Sequence, residues 1–293
     1  MFQILPSNVF STKEIIKLDG PTTKLVQWNT ASNRKRPAIV FIPGFLSENS
    51  IESKQNIWRQ QIQQLAKEND FASYGLYWPS QTLFQDLDSA SWTSAISNID
   101  NMPDVGAGMT VARLAMGFGM GGVFATIAGA AGYSAVNTWN AAIDEATTLA
   151  GNINWMYELD RPIFLIGHSL GGRIAIQMTE YTTYPNLRSV FALAPAVLEY
   201  QTNLDAFYRS QTSPGAIVYS QNDLTLQVLF RLGEKTKSLP LGFNPIKNNS
   251  RYSIPNINLS TFNNQIVRHE TYSSICTELF NCGILGPSLS ART

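Results

Sequence analysis

The feature that most constrains this chain is a short apolar segment that runs directly into the pentapeptide G-H-S-L-G at residues 167–171. Residues 162–166 before it are apolar, and residues 172–181 after it have the apolar spacing of an amphipathic helix. A G-x-S-x-G pentapeptide between a strand and a helix is typical of a sharp turn that exposes a serine hydroxyl where the helix begins. We expect Ser169 to have a strained backbone, with glycines nearby because side chains there would collide with the strand and the helix.

The remaining apolar segments indicate a mainly parallel sheet with helices on both faces. Short continuous apolar runs predict buried strands, and longer stretches with helical spacing predict the helices between them. The predicted strands are 2–5, 14–18, 24–28, 38–42, 73–78, 162–166, 189–194 and 216–220, and the predicted helices are 52–68, 172–181, 224–232 and 272–280. This alternation, together with the serine turn, indicates the α/β-hydrolase fold. A chain of 293 residues can form it as a single domain, residues 1–293.

One region departs from this alternation and predicts a helical insertion at 95–150. Within it, residues 114–143 are rich in glycine and alanine and carry no charged side chain. The segment is long enough to cross a bilayer, but its small residues are poorly suited to lipid and favour close packing of helices. Three interpretations are open: a buried helical hairpin, a lid that contacts lipid or a membrane surface, and a membrane span.

A serine hydroxyl becomes a good nucleophile only when a base takes its proton, and histidine has a suitable pKa. The chain has two histidines. His168 adjoins Ser169 on the turn, where its ring should point away from the hydroxyl, so we interpret it as a packing residue or a residue at the rim of the substrate site. His269 follows the last predicted strand and fits the order of serine, acid and histidine that the fold uses. We therefore predict His269 as the base.

The supporting acid should follow a strand that lies between the serine and the base in sequence. Asp223 comes just after the strand predicted at 216–220, at the edge of the sheet where active-site loops gather. It would hold the imidazole in the required tautomer and stabilise its cation. The alternative is that Asp223 only caps the helix that follows it. Asp205 is the reserve candidate, whereas Asp160 precedes the serine and is out of order.

Two backbone N–H groups should stabilise the oxyanion that forms when the serine attacks a carbonyl. One is expected to be that of Leu170, directly after the nucleophile. The other is expected from the loop after the strand predicted at 38–42, with Phe45 as the donor. The residues predicted to bind substrate are Gly44, Phe45, Leu46 and His168.

Composition narrows the classes of partner and cofactor. The chain has 21 basic and 21 acidic residues, so no basic surface for nucleic acid is predicted. No cluster of histidine, cysteine and aspartate has metal-ligand spacing, so neither a metal nor an organic cofactor is expected. Charged residues make up 14% of the chain, against about 25% in a typical soluble protein. This suits an uncharged or amphipathic substrate, although a lineage-wide codon bias would have the same effect.

The N-terminus and the cysteines bear on location. The first residues lack the basic stretch and the continuous apolar stretch of a cleavable signal peptide, so we expect a cytoplasmic or peripheral membrane protein, with non-classical export as an alternative. The two cysteines, Cys276 and Cys282, could close a small disulfide loop or remain as two buried thiols.

Four blocks of the sequence resemble a lipase-like family, the transmembrane and coiled-coil domain-containing hydrolases and their fungal relatives. These blocks are FIPGFLSE (41–48), LIGHSLGGR (165–173), VYSQNDLTLQVLFR (218–231) and VRHE (267–270). The resemblance covers roughly residues 38–275 and includes the Gly/Ala-rich insertion. It implies Ser169 as nucleophile, Asp223 as acid and His269 as base. The family's longer helical N-terminal region has no counterpart here, so a compact version is expected, which is also similar to bacterial lipase toxins.

These observations predict a serine hydrolase that cleaves carboxylic esters through an acyl-enzyme on Ser169. Lipid esters are the first substrate class, followed by short-chain esters and thioesters, and the segment 114–143 would be the membrane contact. The rival interpretations are a membrane-trafficking adaptor that keeps the fold without turnover, and a secreted antibacterial lipase toxin.

Overall fold

A computed structural model of the protein describes residues 15–17, 23–44, 54–78, 139–213, 215–234, 236–247 and 254–283. The strands are β1 (Ile15–Lys17), β2 (Lys24–Asn29), β3 (Ala38–Ile42), β4 (Ala72–Tyr77), β5 (Ile163–His168), β6 (Leu187–Leu193), β7 (Ala216–Tyr219), β8 (Asn256–Asn258), β9 (Thr261–Phe262) and β10 (Gln265–Ile266). In the described residues, eight of them form one sheet in the order β1-β2-β4-β3-β5-β6-β7-β8, and β9 and β10 form a separate hairpin. The pairs from β4 to β8 are parallel, and β2 is antiparallel to both of its neighbours. This is the strand order of the α/β-hydrolase fold, so the predicted fold is confirmed.

The strand order reverses at β3. The chain passes from β3 to β4 on one side and later crosses to β5 on the other side. In an open parallel sheet, such a reversal leaves a crevice outside the carboxyl ends of the two diverging strands, and ligands bind there. The segments that follow Ile42 in β3 and His168 in β5 therefore flank this crevice.

The central strands have cover on both faces. Every residue of β3, β4 and β5 is buried. Because successive side chains of a strand point to opposite faces, complete burial requires other elements on both sides of the sheet. The same requirement explains why these strands were recognisable as continuous apolar runs rather than as alternating ones.

The helices in the described part of the chain are α1 (Ile57–Glu68), α2 (residues 139–151), α3 (Asn154–Leu159), α4 (Leu170–Tyr181), α5 (Leu204–Arg209), α6 (Leu224–Gly233) and α7 (Thr271–Asn281). Helices α1 and α7 pack against each other and against one face of the sheet. Trp58 of α1 stacks on Phe41 of β3 with ring centroids 4.7 Å apart, and Phe280 of α7 meets Phe191 of β6 edge-on at 4.9 Å. Helix α4 packs on β5 and β6 and reaches β3.

The predicted elements are of the right kind, but several ends differ. The helix predicted from residue 172 begins at Leu170, because the serine turn leads directly into it. The helix predicted from residue 52 begins at Ile57, where the side chain of Asn56 caps it by accepting from the N–H of Arg59 at 3.1 Å. Strand β8 and the β9–β10 hairpin were not predicted. The strand predicted at 2–5 lies outside the described residues.

Of the predicted insertion, the structure describes only its last part, which is helical and forms α2. Trp139 packs edge-on against Phe230 of α6 at 6.1 Å, and a Cβ on Gly233 would lie 2.4 Å from the indole. No helix within the described ranges is long and apolar enough to cross a membrane. Residues 114–138 lie outside those ranges, so the hairpin, lid and membrane-span interpretations, and the limits of the insertion, stay predictions.

The disulfide considered for the two cysteines is wrong, because both are free thiols. Residues six apart on an α-helix face different directions, since each residue turns by about 100°. Cys276 is buried within α7, and Cys282 is exposed at its end, so the expectation of two buried thiols holds only for the first. Burial raises the pKa of the Cys276 thiol to about 12.

Candidate active site

Ser169 lies in the turn between β5 and α4 with φ 57° and ψ −120°. A non-glycine residue rarely adopts a positive φ, so the strained backbone predicted for this position is confirmed. Three main-chain hydrogen bonds hold it in place. Its N–H donates to the carbonyl of Leu193 at 3.0 Å, and its own carbonyl accepts from the N–H groups of Arg173 at 3.2 Å and Ala196 at 3.0 Å.

The glycines of the pentapeptide are required by close packing. A Cβ on Gly167 would lie 2.2 Å from the carbonyl oxygen of Gly171, and a Cβ on Gly171 would lie 2.0 Å from the carbonyl oxygen of Ile42. No side chain fits at such distances. The collisions predicted for residues 167 and 171 are therefore confirmed, and the second one ties the nucleophile turn to the end of β3.

Gly44 brings the loop after β3 directly against the nucleophile. A Cβ at this position would lie 2.7 Å from Cβ of Ser169, 2.9 Å from the carbonyl oxygen of His168 and 3.4 Å from Oγ of Ser169. The buried indole of Trp78 holds this loop, because its Nε1 donates to the carbonyl of Pro43 at 3.0 Å. The two segments that flank the crevice therefore meet at the serine hydroxyl.

This arrangement bears on the predicted oxyanion donors. Leu170 is the first residue of α4, so its N–H has no acceptor within the helix and lies next to the serine. The positive end of the helix dipole also favours a negative charge at this place. The second predicted donor, Phe45, and its neighbour Leu46 lie outside the described residues, so their roles stay predictions.

Asp223 and His269 form a direct pair. Oδ2 of Asp223 lies 2.7 Å from Nδ1 of His269. Because an ionised carboxylate only accepts hydrogen bonds, Nδ1 carries the hydrogen, and Nε2 of the neutral ring is left to accept a proton. The carboxylate is fully buried, and the imidazole is partly exposed, with 16% of its side-chain surface accessible. This is the geometry that a general base and its orienting acid require.

The two interpretations of Asp223 as acid and as helix cap are compatible, because each uses a different oxygen. Oδ1 of Asp223 accepts from the N–H of Leu226 at 2.7 Å and so caps α6, while Oδ2 faces His269. Capping fixes the carboxylate in one orientation. The reserve candidate Asp205 is exposed on α5 and pairs with Arg209 at 3.4 Å, and Asp160 ends α3.

Hydrogen bonds that the sequence does not reveal join two loops: the acid loop, residues 220–223, and the base loop, residues 267–270. The buried hydroxyl of Ser220 donates to the carbonyl of Val267 at 2.5 Å. The amide of Asn222 donates to the carbonyl of Ser260 at 2.8 Å, and the N–H of Val267 donates to the same carbonyl at 3.0 Å. Since no local pattern marks a contact between residues 47 positions apart, the only signal in the sequence is the serine three residues before the acid.

The ring of His168 lies under the base rather than at an open rim. It is 6% exposed, and its centroid is 4.5 Å from that of the His269 ring. Trp58 at 4.9 Å and Tyr272 at 5.8 Å complete its surroundings. The contact between the two imidazoles places His269 beside the strand end that leads into Ser169. The predicted role of His168 in substrate binding stays a prediction.

Tyr272 is the buried residue of α7 that faces this cluster. Its hydroxyl has no hydrogen-bond partner among the described residues. Burial, and to a lesser extent the charge of Asp223, raise the pKa of Tyr272 well above its usual value. The phenol therefore stays neutral beneath the pair of acid and base. Within the described ranges, no group of three histidine, cysteine, aspartate or glutamate side chains is arranged to hold a metal ion.

Comparison with known proteins finds similarity among solved structures. No protein-family model and no curated protein matches the chain, so the resemblance to the transmembrane and coiled-coil domain-containing hydrolases stays a prediction. The chain is similar to the Francisella virulence factor BioJ, with 12% identity over 94% of this chain and 83% of that one, at a TM-score of 0.45. Est1E from Butyrivibrio proteoclasticus has 12% identity over 94% of this chain and 99% of that one, at a TM-score of 0.42. A putative hydrolase from Agrobacterium vitis S4 has 9% identity over 94% of this chain and 98% of that one, at a TM-score of 0.44. At these identities the roles of individual residues come from the geometry of this chain alone.

Proposed function

We propose that this protein is a serine hydrolase that cleaves carboxylic esters, with lipid esters as its substrate class. The observation that carries the proposal is the 2.7 Å contact between Asp223 and His269 at the same edge of the sheet as the strained turn of Ser169. A strained serine, a neutral imidazole whose Nε2 can take a proton and a buried orienting carboxylate are the three groups that acyl transfer needs.

In the first half of the reaction, Oγ of Ser169 attacks the ester carbonyl carbon while Nε2 of His269 takes the hydroxyl proton. The carbonyl oxygen becomes an oxyanion, which the N–H of Leu170 stabilises together with a donor from the loop after Gly44. The imidazolium then gives its proton to the leaving alkoxide. An alcohol departs, and the acyl group remains on Ser169.

In the second half, water replaces the alcohol. His269 takes a proton from the water as it attacks the acyl carbon, and a second oxyanion forms in the same place. Its collapse breaks the bond to Oγ of Ser169, which regains its proton from the imidazolium. The products are a carboxylic acid and the free enzyme. Asp223 stabilises the imidazolium in both halves without itself taking the proton.

The choice of lipid esters rests on the sequence. Charged residues make up only 14% of the chain, and the segment 114–143, which comes after β4 in the sequence, carries no charge. Both features suit an apolar or amphipathic substrate. The resemblance to a lipase-like family points the same way, and it motivates contact between segment 114–143 and a membrane or lipid surface.

A fluorophosphonate probe tests the nucleophile, because it labels only an activated serine. The wild-type chain should be labelled at Ser169, and Ser169→Ala should not be labelled at all. A catalytically inactive adaptor would give no labelling in either case. In a panel of ester substrates, equal rates for wild type and Ser169→Ala would remove the proposed function.

The substrate class is tested separately with esters of increasing acyl length. Polar substitution of Val123, Phe124 and Ile127 should slow hydrolysis of long-chain lipid esters and leave short-chain esters unaffected, provided that the melting temperature is unchanged. Equal rates on long-chain lipids in a folded triple variant would contradict the role of segment 114–143.

A further inference from the structure

The two histidines of the chain are in direct contact, and the contact runs through the main chain of the base. Nε2 of His168 lies 3.2 Å from the carbonyl oxygen of His269. A carbonyl oxygen only accepts, so the imidazole of His168 is the donor and carries its hydrogen on Nε2. This bond joins the last residue of β5, one position before the nucleophile, to the residue that supplies the base.

The surroundings of His168 keep its ring in place and uncharged. The rings of Trp58 and Tyr272 pack around it, and almost none of its surface is exposed. Burial, and then the nearby imidazole of His269, hold the pKa of His168 well below its usual value. A neutral ring is the form that adds no repulsion when the neighbouring imidazole becomes a cation during turnover.

Other hydrogen bonds hold the base loop, residues 267–270, immediately before and after His269. The main chain of Val267 is held on both sides, by Ser220 and Ser260. The N–H of Arg268 donates to the hydroxyl of Thr271 at 3.2 Å. The carbonyl of the base itself is held by His168, which belongs to the rigid sheet rather than to the loop.

We propose that His168 is a positioning residue, whose Nε2–H holds the main chain of His269 so that the imidazole stays in register with Ser169. The inference rests on the proposed function and adds a residue that acts through the base without touching substrate. It develops the interpretation of His168 as a packing residue by giving the buried ring a role beneath the base.

Three substitutions separate the hydrogen bond from ring packing. His168→Phe keeps an aromatic ring beside Trp58 and Tyr272 but has no donor. His168→Gln has no ring, but its amide nitrogen reaches the position of Nε2. His168→Asn is the matched control, because the same amide is one methylene too short.

We expect the kcat of His168→Gln, whose donor reaches the carbonyl of His269, to differ from the kcat of the two variants without such a donor. Since a misplacement of about 1 Å can cost roughly 100-fold in rate, we expect kcat to fall by about 10- to 100-fold in His168→Phe and His168→Asn with KM nearly unchanged. His168→Gln should recover much of the loss. A wild-type kcat in His168→Phe would overturn the proposal. A His168→Gln variant with a kcat as low as that of His168→Asn would also overturn it. If His168→Phe does not fold, the comparison of these two variants is sufficient to test the proposal.

A second measurement does not depend on turnover. Because the chain has only two histidines, every histidine signal in the NMR spectrum of a His168 variant belongs to His269. The signal of the Nδ1 proton of His269 should stay as sharp and as slow to exchange in His168→Gln as in the wild type, and should broaden or exchange faster in His168→Phe and His168→Asn. Unchanged linewidth and exchange rate in all three variants overturn the positioning role. If the wild type neither cleaves esters nor reacts with the probe, the proposed function fails, and these signals still decide the role of His168.

Discussion

Ser169 and His269 reach the same edge of the sheet by different means. The nucleophile turn is specified within a few residues, by glycines at 167 and 171 and by main-chain bonds to the adjoining strands. The base is placed by contacts between residues far apart in sequence, through Asp223, Ser220 and His168. One half of the site is therefore local and rigid, and the other half depends on how distant loops are joined. Substitutions in the two halves should therefore reduce activity and stability to different extents.

The largest effect is expected where the distant half is broken outright. Asp223→Asn can still cap α6 through its amide oxygen, but the amide no longer holds His269 with its hydrogen on Nδ1. We expect kcat to fall by about 1,000- to 10,000-fold with little change in stability. Steady-state kinetics and thermal unfolding check this, with Asp205→Asn as the exposed control. A rate for Asp223→Asn that matches this control would contradict the assignment of the acid.

The half of the site that carries Ser169 should be disrupted by a single methyl group on the loop that packs against it. Gly44→Ala places a Cβ within 3 Å of both Ser169 and the carbonyl of His168, so the loop predicted to carry the second oxyanion donor has to move. We expect kcat to fall by about 100-fold, since a shift near 1 Å at a reacting centre costs roughly that much. Gly151→Ala is the control, because its added Cβ meets no atom within 4 Å. Equal rates for the two variants would show that the loop is not close to the serine.

A smaller effect is expected when only the hydrogen bond between the acid loop and the base loop is removed. Ser220→Ala removes the hydroxyl that links the acid loop to Val267, two residues before the base. We expect a loss of roughly 1 kcal/mol in stability, as for other buried hydrogen bonds, and a fall of about tenfold in kcat.

Ser189 offers the matched control for this change, because its buried hydroxyl donates to the carbonyl of Ser213 at 3.1 Å, before the start of β7 rather than at the edge that carries the site. Ser189→Ala should lose similar stability and keep its kcat. If both serine variants lose activity equally, the loss results from general destabilisation rather than from the missing hydrogen bond between the acid loop and the base loop.

The same contrast explains what the sequence could predict. The turn of Ser169 and the strands β3 to β7 follow from local glycines and continuous apolar runs, so they were predictable to within a few residues. Asp223 and His269 were reached through the order of the residues and the small number of histidines. The contacts of Ser220 and His168 depend on the register of β8 and on the path of the base loop, which no local pattern encodes. The hairpin of β9 and β10 does have a local signal, the Asn263–Asn264 turn, whose φ values are 48° and 63°.

The backbone of Ser169 has a consequence for the balance between stability and activity. A side chain forced to φ 57° costs on the order of 1–3 kcal/mol, which the surrounding bonds must offset. Ser169→Gly should therefore melt at a higher temperature than the wild type, whereas Ser169→Ala, which keeps the Cβ, should not. The residue proposed as the nucleophile is then also one at which the fold loses stability, and the glycine variant, expected to be inactive, becomes a natural starting point for trapping bound esters.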